Sequence, residues 1–360
     1  MIKSKIRILF LTYRADYSGG PLLLLQLLQD LNSNHDRQDF EFFMSCPRHE
    51  ELAQELISCC QGFIPIKNLA SFFSILNYCK SHDIRIVHSH GRGAGYLSRM
   101  LGLFGIRVVH SLHGIHSEGG LGTKIKSAIE RLVAFRTDVF VVSSITEEQA
   151  GIWQGFIPPG AKAVFIPHRS QFEPSTSMVF KNPIRRLGVL TRLEPEKGNI
   201  DLISFFKSCL KGTNWQLYIA GDGSEKATLI AEVQNLHLGS QIHFLGFVKQ
   251  KASFFGELDV LISFSRGEGM PLTIIEAMAN GIPCLLSRVR GHVDFNENSN
   301  KVWLFNPKDF SDCYSQLKQI ENDKEDRELR IRNARSYTSQ LRNFDWDKAY
   351  MSLYKEILFQ

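Results

Sequence analysis

Two carboxylates, Glu268 and Glu276, bracket the segment Glu268-Gly-Met-Pro-Leu-Thr-Ile-Ile-Glu276. Glu268 falls in a Gly-containing loop after the apolar run Val260–Ser263. Glu276 falls about one turn into the helix that follows, so the pair can meet one ligand from different heights. One carboxylate is suited to accept hydrogen bonds from sugar hydroxyls and the other from ribose hydroxyls. The expected helix opens near Pro271, a residue favoured at the first helical position because its missing N–H would be unpaired there. The backbone around Met270, Pro271 and Leu272 and the helix N-terminus then offer N–H groups and a partial positive charge, which suits a phosphate. A strand–loop–helix unit carrying two solvated glutamates is the plainer alternative. Upstream, Leu187-Gly-Val-Leu-Thr-Arg-Leu-Glu-Pro-Glu-Lys-Gly198 places Arg192 and Lys197 just after another apolar run. A bidentate guanidinium and a point-charge ammonium there can neutralise a diphosphate, although Glu194 and Glu196 leave an ordinary charged turn open. Ile219-Ala-Gly-Asp-Gly-Ser-Glu225 reads as a strand followed by a Gly-rich turn and a helix. In the first half, Ser18-Gly19-Gly20-Pro21 opens a helix, and His88-Ser-His-Gly91 and His110-Ser-Leu-His-Gly114 end two successive strands.

Apolar runs of strand length alternate with helical patterns in both halves, which predicts parallel sheets covered on both faces. Strands are expected at Ile6–Thr12, Phe40–Ser45, Ile84–Ser89, Val108–Leu112, Val139–Ser143 and Val164–Pro167, then at Arg186–Leu190, Gln216–Ala220, Ile242–Leu245, Val260–Ser263, Pro283–Leu286 and Val302–Leu304. The pattern fails around Arg169–Pro183. The chain therefore divides into residues 1–168, a linker at 169–184, residues 185–342, and a C-terminal amphipathic helix within 343–360 that is placed to return to the first domain. With 360 residues, two domains of ordinary size fit. Two doubly wound halves place ligands beyond the carboxyl ends of the strands, so the expectation is a cleft faced by both.

The net charge of +5 is mild. Residues 1–170 hold 18 Lys and Arg against 14 Asp and Glu. That balance argues against a nucleic-acid binder and leaves room for weak attraction to an anionic membrane or substrate. Seven cysteines without metal-ligand spacing fit reduced thiols in a cytoplasmic protein. The N-terminus runs into a strand without signal-peptide features, and no run of 18 apolar residues predicts a membrane span.

The order and spacing of Arg192, Lys197, Ile219–Glu225, His243-Phe-Leu-Gly-Phe-Val248 and the Glu268/Glu276 pair resemble glycosyltransferase family 4, which has the GT-B fold of two Rossmann-like domains facing across a cleft. The resemblance is closest over residues 185–305. It implies a retaining, metal-independent transfer from a nucleoside diphosphate sugar, with no cofactor beyond that co-substrate. It implies that Arg192, Lys197 and the backbone of Met270, Pro271 and Leu272 stabilise the departing diphosphate, with Gly19 and Gly20 approaching the same phosphates. Glu268, Gly269 and Met270 would hold the transferred sugar, Glu276 the ribose, and His113 would be the active-site histidine. His88 and His110 read better as structural groups. Ile166-Pro-His-Arg-Ser170 departs from the family's usual Asn-Gly-(Ile/Val)-Asp stretch.

The implied acceptor is a glycan or lipid-linked glycan at the inner face of the cell membrane, in polysaccharide or lipopolysaccharide synthesis. The basic amphipathic stretch Lys124–Arg136 would be the membrane contact, against the plainer reading of a surface helix packed by its apolar face. Asp345-Trp346-Asp347 resembles a metal-binding DxD but lies at the start of the last helix, away from any strand end. No GxGxxG follows the first strand, which argues against a nicotinamide enzyme. A non-catalytic nucleotide-sugar binder, or a phosphorylase or epimerase of the same fold, stays open.

Overall fold

The first strand, β1 (Ile6–Thr12), is buried from Ile8 onward and carries no alternation, as a strand covered on both faces should. The computed structural model describes residues 5–114, 121–169 and 183–359, so most of the expected linker, and Ser170, lie outside the described residues. After β1 come α1 (Gly19–Ser33), β2 (Phe40–Ser45), α2 (Ala53–Ser58), β3 (Gly62–Phe63), α3 (Phe72–Ser81), β4 (Ile86–His90), α4 (Arg92–Gly102), β5 (Arg107–Ser111), α5 (Leu121–Val133), β6 (Val139–Val142), α6 (Ile145–Trp153) and β7 (Ala163–Phe165). The second series is β8 (Arg186–Leu190), α7 (Asn199–Cys209), β9 (Gln216–Ala220), α8 (Lys226–Asn235), β10 (Ile242–Gly246), α9 (Lys251–Glu257), β11 (Val260–Ser263), α10 (Leu272–Ala279), β12 (Cys284–Ser287), β13 (Trp303–Phe305), α11 (Phe310–Asn322), α12 (Lys324–Arg342) and α13 (Trp346–Phe359).

The chain divides into two compact units, Met1–His168 with Asp345–Gln360, and Arg169–Phe344. The sheet of unit 1 runs β3-β2-β1-β4-β5-β6-β7, and that of unit 2 runs β10-β9-β8-β11-β12-β13. Every pairing among these strands is parallel. In each unit the strand order reverses beside the first strand, between β1 and β4 and between β8 and β11. The carboxyl ends of those strand pairs are the ligand-binding positions of a doubly wound sheet.

Several boundaries differ from expectation for identifiable reasons. β4 continues one residue past Ser89, because His90 pairs with Thr12 on one side and Ser111 on the other. The Leu69–Ser81 helix begins as a 3₁₀ turn at Leu69–Ser71. Pro271 is not the first helical residue: at φ −71°, ψ 119° it is extended and precedes α10. The two-residue strand β3 was too short to register as a pattern. The Arg-rich tail is a separate helix, α12, whose N-cap Asp323 accepts from the Asp326 N–H.

Helix α13 is built into unit 1. Trp346 is buried, and its Nε1–H donates to the Pro167 carbonyl at 2.6 Å. Asp347 accepts from Asn34 Nδ2 at 2.5 Å, and Tyr354 is wholly buried. Asp345 pairs instead with Lys348 at 2.9 Å. The two carboxylates of the DxD-like sequence thus have separate structural partners.

Candidate active site

In unit 2 the loops that leave β8 and β11 meet. Gly198 makes the approach possible. It sits at φ +64°, and a Cβ there would lie 2.2 Å from the Phe264 carbonyl oxygen, so only glycine fits. The Arg266 N–H donates to the Glu196 carbonyl at 2.9 Å across the same junction. The junction carries Lys197 to Glu268, whose Oε1 accepts from Lys197 Nζ at 2.7 Å and from Ser265 Oγ at 2.5 Å. Among the described residues no donor is bonded to Oε2. A second close approach holds the loop from the far side. Gly291, at φ +81°, would drive a Cβ to 2.1 Å from the Gly269 carbonyl, and the Glu268 N–H donates to the Arg290 carbonyl at 3.1 Å.

Burial pushes the Glu268 carboxyl up, but Lys197, the nearby His292 and the Lys197 and Ser265 hydrogen bonds outweigh it, leaving the group below the usual glutamate value. Glu268 is therefore a fixed anion facing a fixed cation. His292 is itself buried, which holds its imidazole below the ordinary value despite Glu268. Its Nδ1 bonds the Ser287 carbonyl at 2.9 Å.

One helical turn into α10, both oxygens of Glu276 accept from Lys251 Nζ, at 2.9 and 3.1 Å. Burial raises the Glu276 pKa in spite of this partner. Lys251 opens α9, and its proximity to Glu276 had no signal in the sequence. At the start of α10, Pro271 offers no side-chain cap and the first turn holds no acidic residue. The first N–H groups of a helix lack intrahelical acceptors, so Leu272 and its neighbours present donors at the positive end of the helix. Arg192 pairs with Glu196 at 3.1 Å rather than lying open. Glu194 is occupied by Ser224, accepting from its N–H at 3.2 Å and from its Oγ–H.

In unit 1, Gly19 and Gly20 are the first two residues of α1, with nothing within 4 Å of a Cβ built on either. The absence of a side chain there leaves the backbone approachable. The carboxyl-terminal halves of β4 and β5 and the residues just after them carry a group of histidines. His88 and His110 are wholly buried. His88 bonds Tyr354 Oη at 2.7 Å and Ser111 Oγ at 2.8 Å, and His110 bonds Ser89 Oγ at 2.9 Å. Both are committed to partners within unit 1. His113 is only partly buried and adopts φ +54°, a left-handed conformation uncommon outside glycine. Such a position costs about 1–3 kcal/mol and must be held by its surroundings. Its ring Nε2 bonds His90 Nδ1 at 2.8 Å, and the following Gly114 N–H donates to the buried carboxylate of Glu147 at 2.5 Å. His90 and Glu147 were not singled out by sequence, because one is the second histidine of a strand end and the other reads as a helix-start acid.

Residues 180–337 match the family model described as Glycosyl transferases group 1, and residues 30–168 match that described as Glycosyltransferase Family 4. The chain is 26% identical to the UDP-Gal:alpha-D-GlcNAc-diphosphoundecaprenol alpha-1,3-galactosyltransferase of Escherichia coli, over 74% of this chain and 73% of that one. It is 23% identical to the N-acetyl-alpha-D-glucosaminyl L-malate synthase of Bacillus anthracis, over 82% and 80%. Its fold matches the crystal structure of Anabaena HepE in complex with UDP and glucose with a TM-score of 0.77 at 17% identity, covering 99% of this chain and 100% of that one. The architecture is that of the two-domain GT-B fold. The chain belongs to glycosyltransferase family 4 and is a glycosyltransferase.

The buried histidines set a pH limit on unit 1. Burial holds His88, His90 and His110 well below the ordinary value of 6.5. Below that value the unfolded chain takes up protons that the folded chain refuses, so stability falls as pH falls. The slope is at most about 1.4 kcal/mol per histidine per pH unit, ending where the folded groups titrate. Glu268 acts in a separate window, its contribution fading only as pH falls through its lowered carboxylate value. Thermal unfolding at pH 7 and pH 5 should show a clear fall in the midpoint, and the fall should shrink when His110 is replaced by Leu.

Proposed function

We propose that this glycosyltransferase takes its sugar from a nucleoside diphosphate sugar, transfers it with retention of anomeric configuration, and needs no metal ion. The observation that carries the reading is the Lys197–Glu268–Ser265 cluster at the switch point of the unit 2 sheet, with Glu276 in the helix that follows. In this reading Lys197, Arg192 and the N–H groups at the start of α10 take up the charge that develops on the departing diphosphate. Preorganised donors aimed at developing charge are usually a large catalytic contribution. Glu268, with Gly269 and Met270, holds the transferred sugar through the carboxylate oxygen that has no donor among the described residues. Glu276 holds the ribose, sharing its charge with Lys251. Gly19 and Gly20 meet the phosphates, and His113 meets the sugar. The acceptor hydroxyl attacks from the side of the leaving group, which receives its proton.

The acceptor is proposed to be a lipid-linked glycan in cell-surface polysaccharide synthesis, met at the inner face of the cell membrane. Exposed apolar side chains support this part. Leu132 is 72% exposed, Phe135 65% and Trp153 86%, all in unit 1. Arg136 lies over the exposed Phe135 ring at 5.0 Å, so a cation accompanies one of these apolar groups. The side chains of residues 121–126, including Lys124 and Lys126, lie outside the described set. Among the described residues no helix is long and apolar enough to cross a membrane.

A thermal-shift panel of uridine, guanosine and adenosine diphosphate sugars in excess EDTA tests the donor assignment. One nucleotide should raise the unfolding midpoint. Glu276→Ala should weaken its binding by about tenfold or more, the cost of a lost charged hydrogen-bond partner. Glu268→Ala should mainly lower kcat, by about a hundredfold. A nucleotide response indifferent to Glu276→Ala would remove that residue from the site, and a response that requires metal would remove the metal-free mechanism. For the membrane part, sedimentation with phosphatidylglycerol vesicles should exceed that with phosphatidylcholine. The Leu132→Ala/Phe135→Ala/Trp153→Ala variant should lose the difference. Equal recovery with both lipids would count against the surface.

A further inference from the structure

Among the described residues, His113 has one polar ring atom committed and one left over. Its Nε2 is hydrogen bonded to His90 Nδ1 at 2.8 Å, and the two rings are stacked with centroids 5.1 Å apart and planes 20° from parallel. The leftover atom is Nδ1. Whether it presents a proton or a lone pair depends on which ring donates in the His90–His113 bond, because a neutral imidazole carries one N–H.

His90 decides this. It is buried at the end of β4, with the His88 ring 4.2 Å away on one side and Phe10 6.2 Å away. Its Nε2 is buried and has no hydrogen-bond partner among the described residues. If His113 donated, the His90 proton would have to sit on that Nε2 as an orphaned buried N–H. If His90 donates from Nδ1, only a lone pair is orphaned there. Orphaned buried N–H groups are the rarer and costlier case, since an acceptor with no partner is tolerated more readily. We propose that His90 is a positioning residue that donates from Nδ1 to His113 Nε2, so that His113 is held as the Nδ1–H tautomer and presents a hydrogen-bond donor to the ligand.

The neighbourhood supports a fixed arrangement. His88, whose ring lies 4.2 Å from that of His90 and tilted 39° to it, is pinned by Tyr354 of α13 and by Ser111. The backbone of His113 is pinned by the Glu147 carboxylate, which takes the Gly114 N–H on one oxygen and the Ser143 N–H and Oγ–H on the other, at 2.7 and 2.8 Å. His110 and His168 complete the group of imidazoles, and burial keeps His90 and His113 neutral. The ligand atom opposite His113 Nδ1 must then be an oxygen lone pair. On the proposed reading that atom is a hydroxyl of the transferred sugar, accepting from the imidazole. His113 in this state has no lone pair at Nδ1 and cannot serve there as a base.

The tautomer can be read without activity. Two-bond ¹H–¹⁵N correlation on protein carrying ¹⁵N-histidine should show His113 with a protonated Nδ1 and a bare Nε2. His90→Asn, whose amide N–H replaces the Nδ1 donor, should keep that pattern. His90→Leu should move His113 toward the Nε2–H form. A wild-type His113 protonated on Nε2, or a tautomer unchanged in His90→Leu, would overturn the inference. Should His90→Leu fail to fold, the wild-type and His90→Asn spectra still decide. The kinetic companion is a fall in kcat of about tenfold in His90→Leu, the worth of one hydrogen bond, with recovery in His90→Asn. The inference rests on the donor-sugar reading only for the ligand. If no sugar transfer were found, the spectra would still settle the tautomer.

Discussion

The contact between Lys197 and Glu268 is the constraint on which the rest of unit 2 depends. The two residues lie 71 positions apart, one in the loop after β8 and the other in the loop after β11, and their side chains meet at 2.7 Å. These strands are neighbours only because the sheet is doubly wound, with β8 at the point where the order reverses. The loops can come this close only because Gly198 and Gly291 accept the left-handed conformations that the approach demands. A largely buried ion pair of this kind is poor as a source of stability, since desolvation of both partners offsets much of their attraction. Its value is positional. It leaves a charged, oriented carboxylate and a cation side by side at a site where a sugar and a phosphate can each find a partner.

Unit 1 applies the same sheet logic with different chemistry. The ends of β4 and β5 carry four histidines, and burial keeps them neutral rather than charged. Two of them are committed inward: His88 to Tyr354 and Ser111, His110 to Ser89. The consequence is a rigid shelf on which one partly exposed imidazole, His113, is set in a strained backbone conformation. Helix α13 belongs to this shelf, since Tyr354 reaches His88. Tyr354 thereby supports the imidazoles at the ends of the middle strands of unit 1.

Much of the fold was legible because parallel strands buried on both faces leave continuous apolar runs. The runs at Ile6–Thr12, Phe40–Ser45, Arg186–Leu190, Gln216–Ala220 and Val260–Ser263 are the strands found. What escaped was either too short to have a period, as with Gly62–Phe63, or polar within a strand, as with His90. The family membership was legible because motif order and spacing survive where overall identity is low. Partnerships were not. Nothing in the sequence signals that Lys251 closes on Glu276 from 25 residues away or that His90 holds His113. Side-chain pairing depends on the rotation of loops and helices in three dimensions, and single-sequence patterns carry no record of it.

The central claim is that Lys197 and its surroundings form a diphosphate site. Calorimetric titration of a nucleoside diphosphate against the corresponding monophosphate, without added metal, measures this directly. The account predicts that the diphosphate binds about tenfold or more tightly in the wild type, the worth of a charge-assisted hydrogen bond. The difference should vanish in Lys197→Met, and also in a Lys197→Met/Glu268→Gln double variant that leaves no unpaired buried carboxylate. An unchanged ratio of the two affinities in both variants would contradict the account.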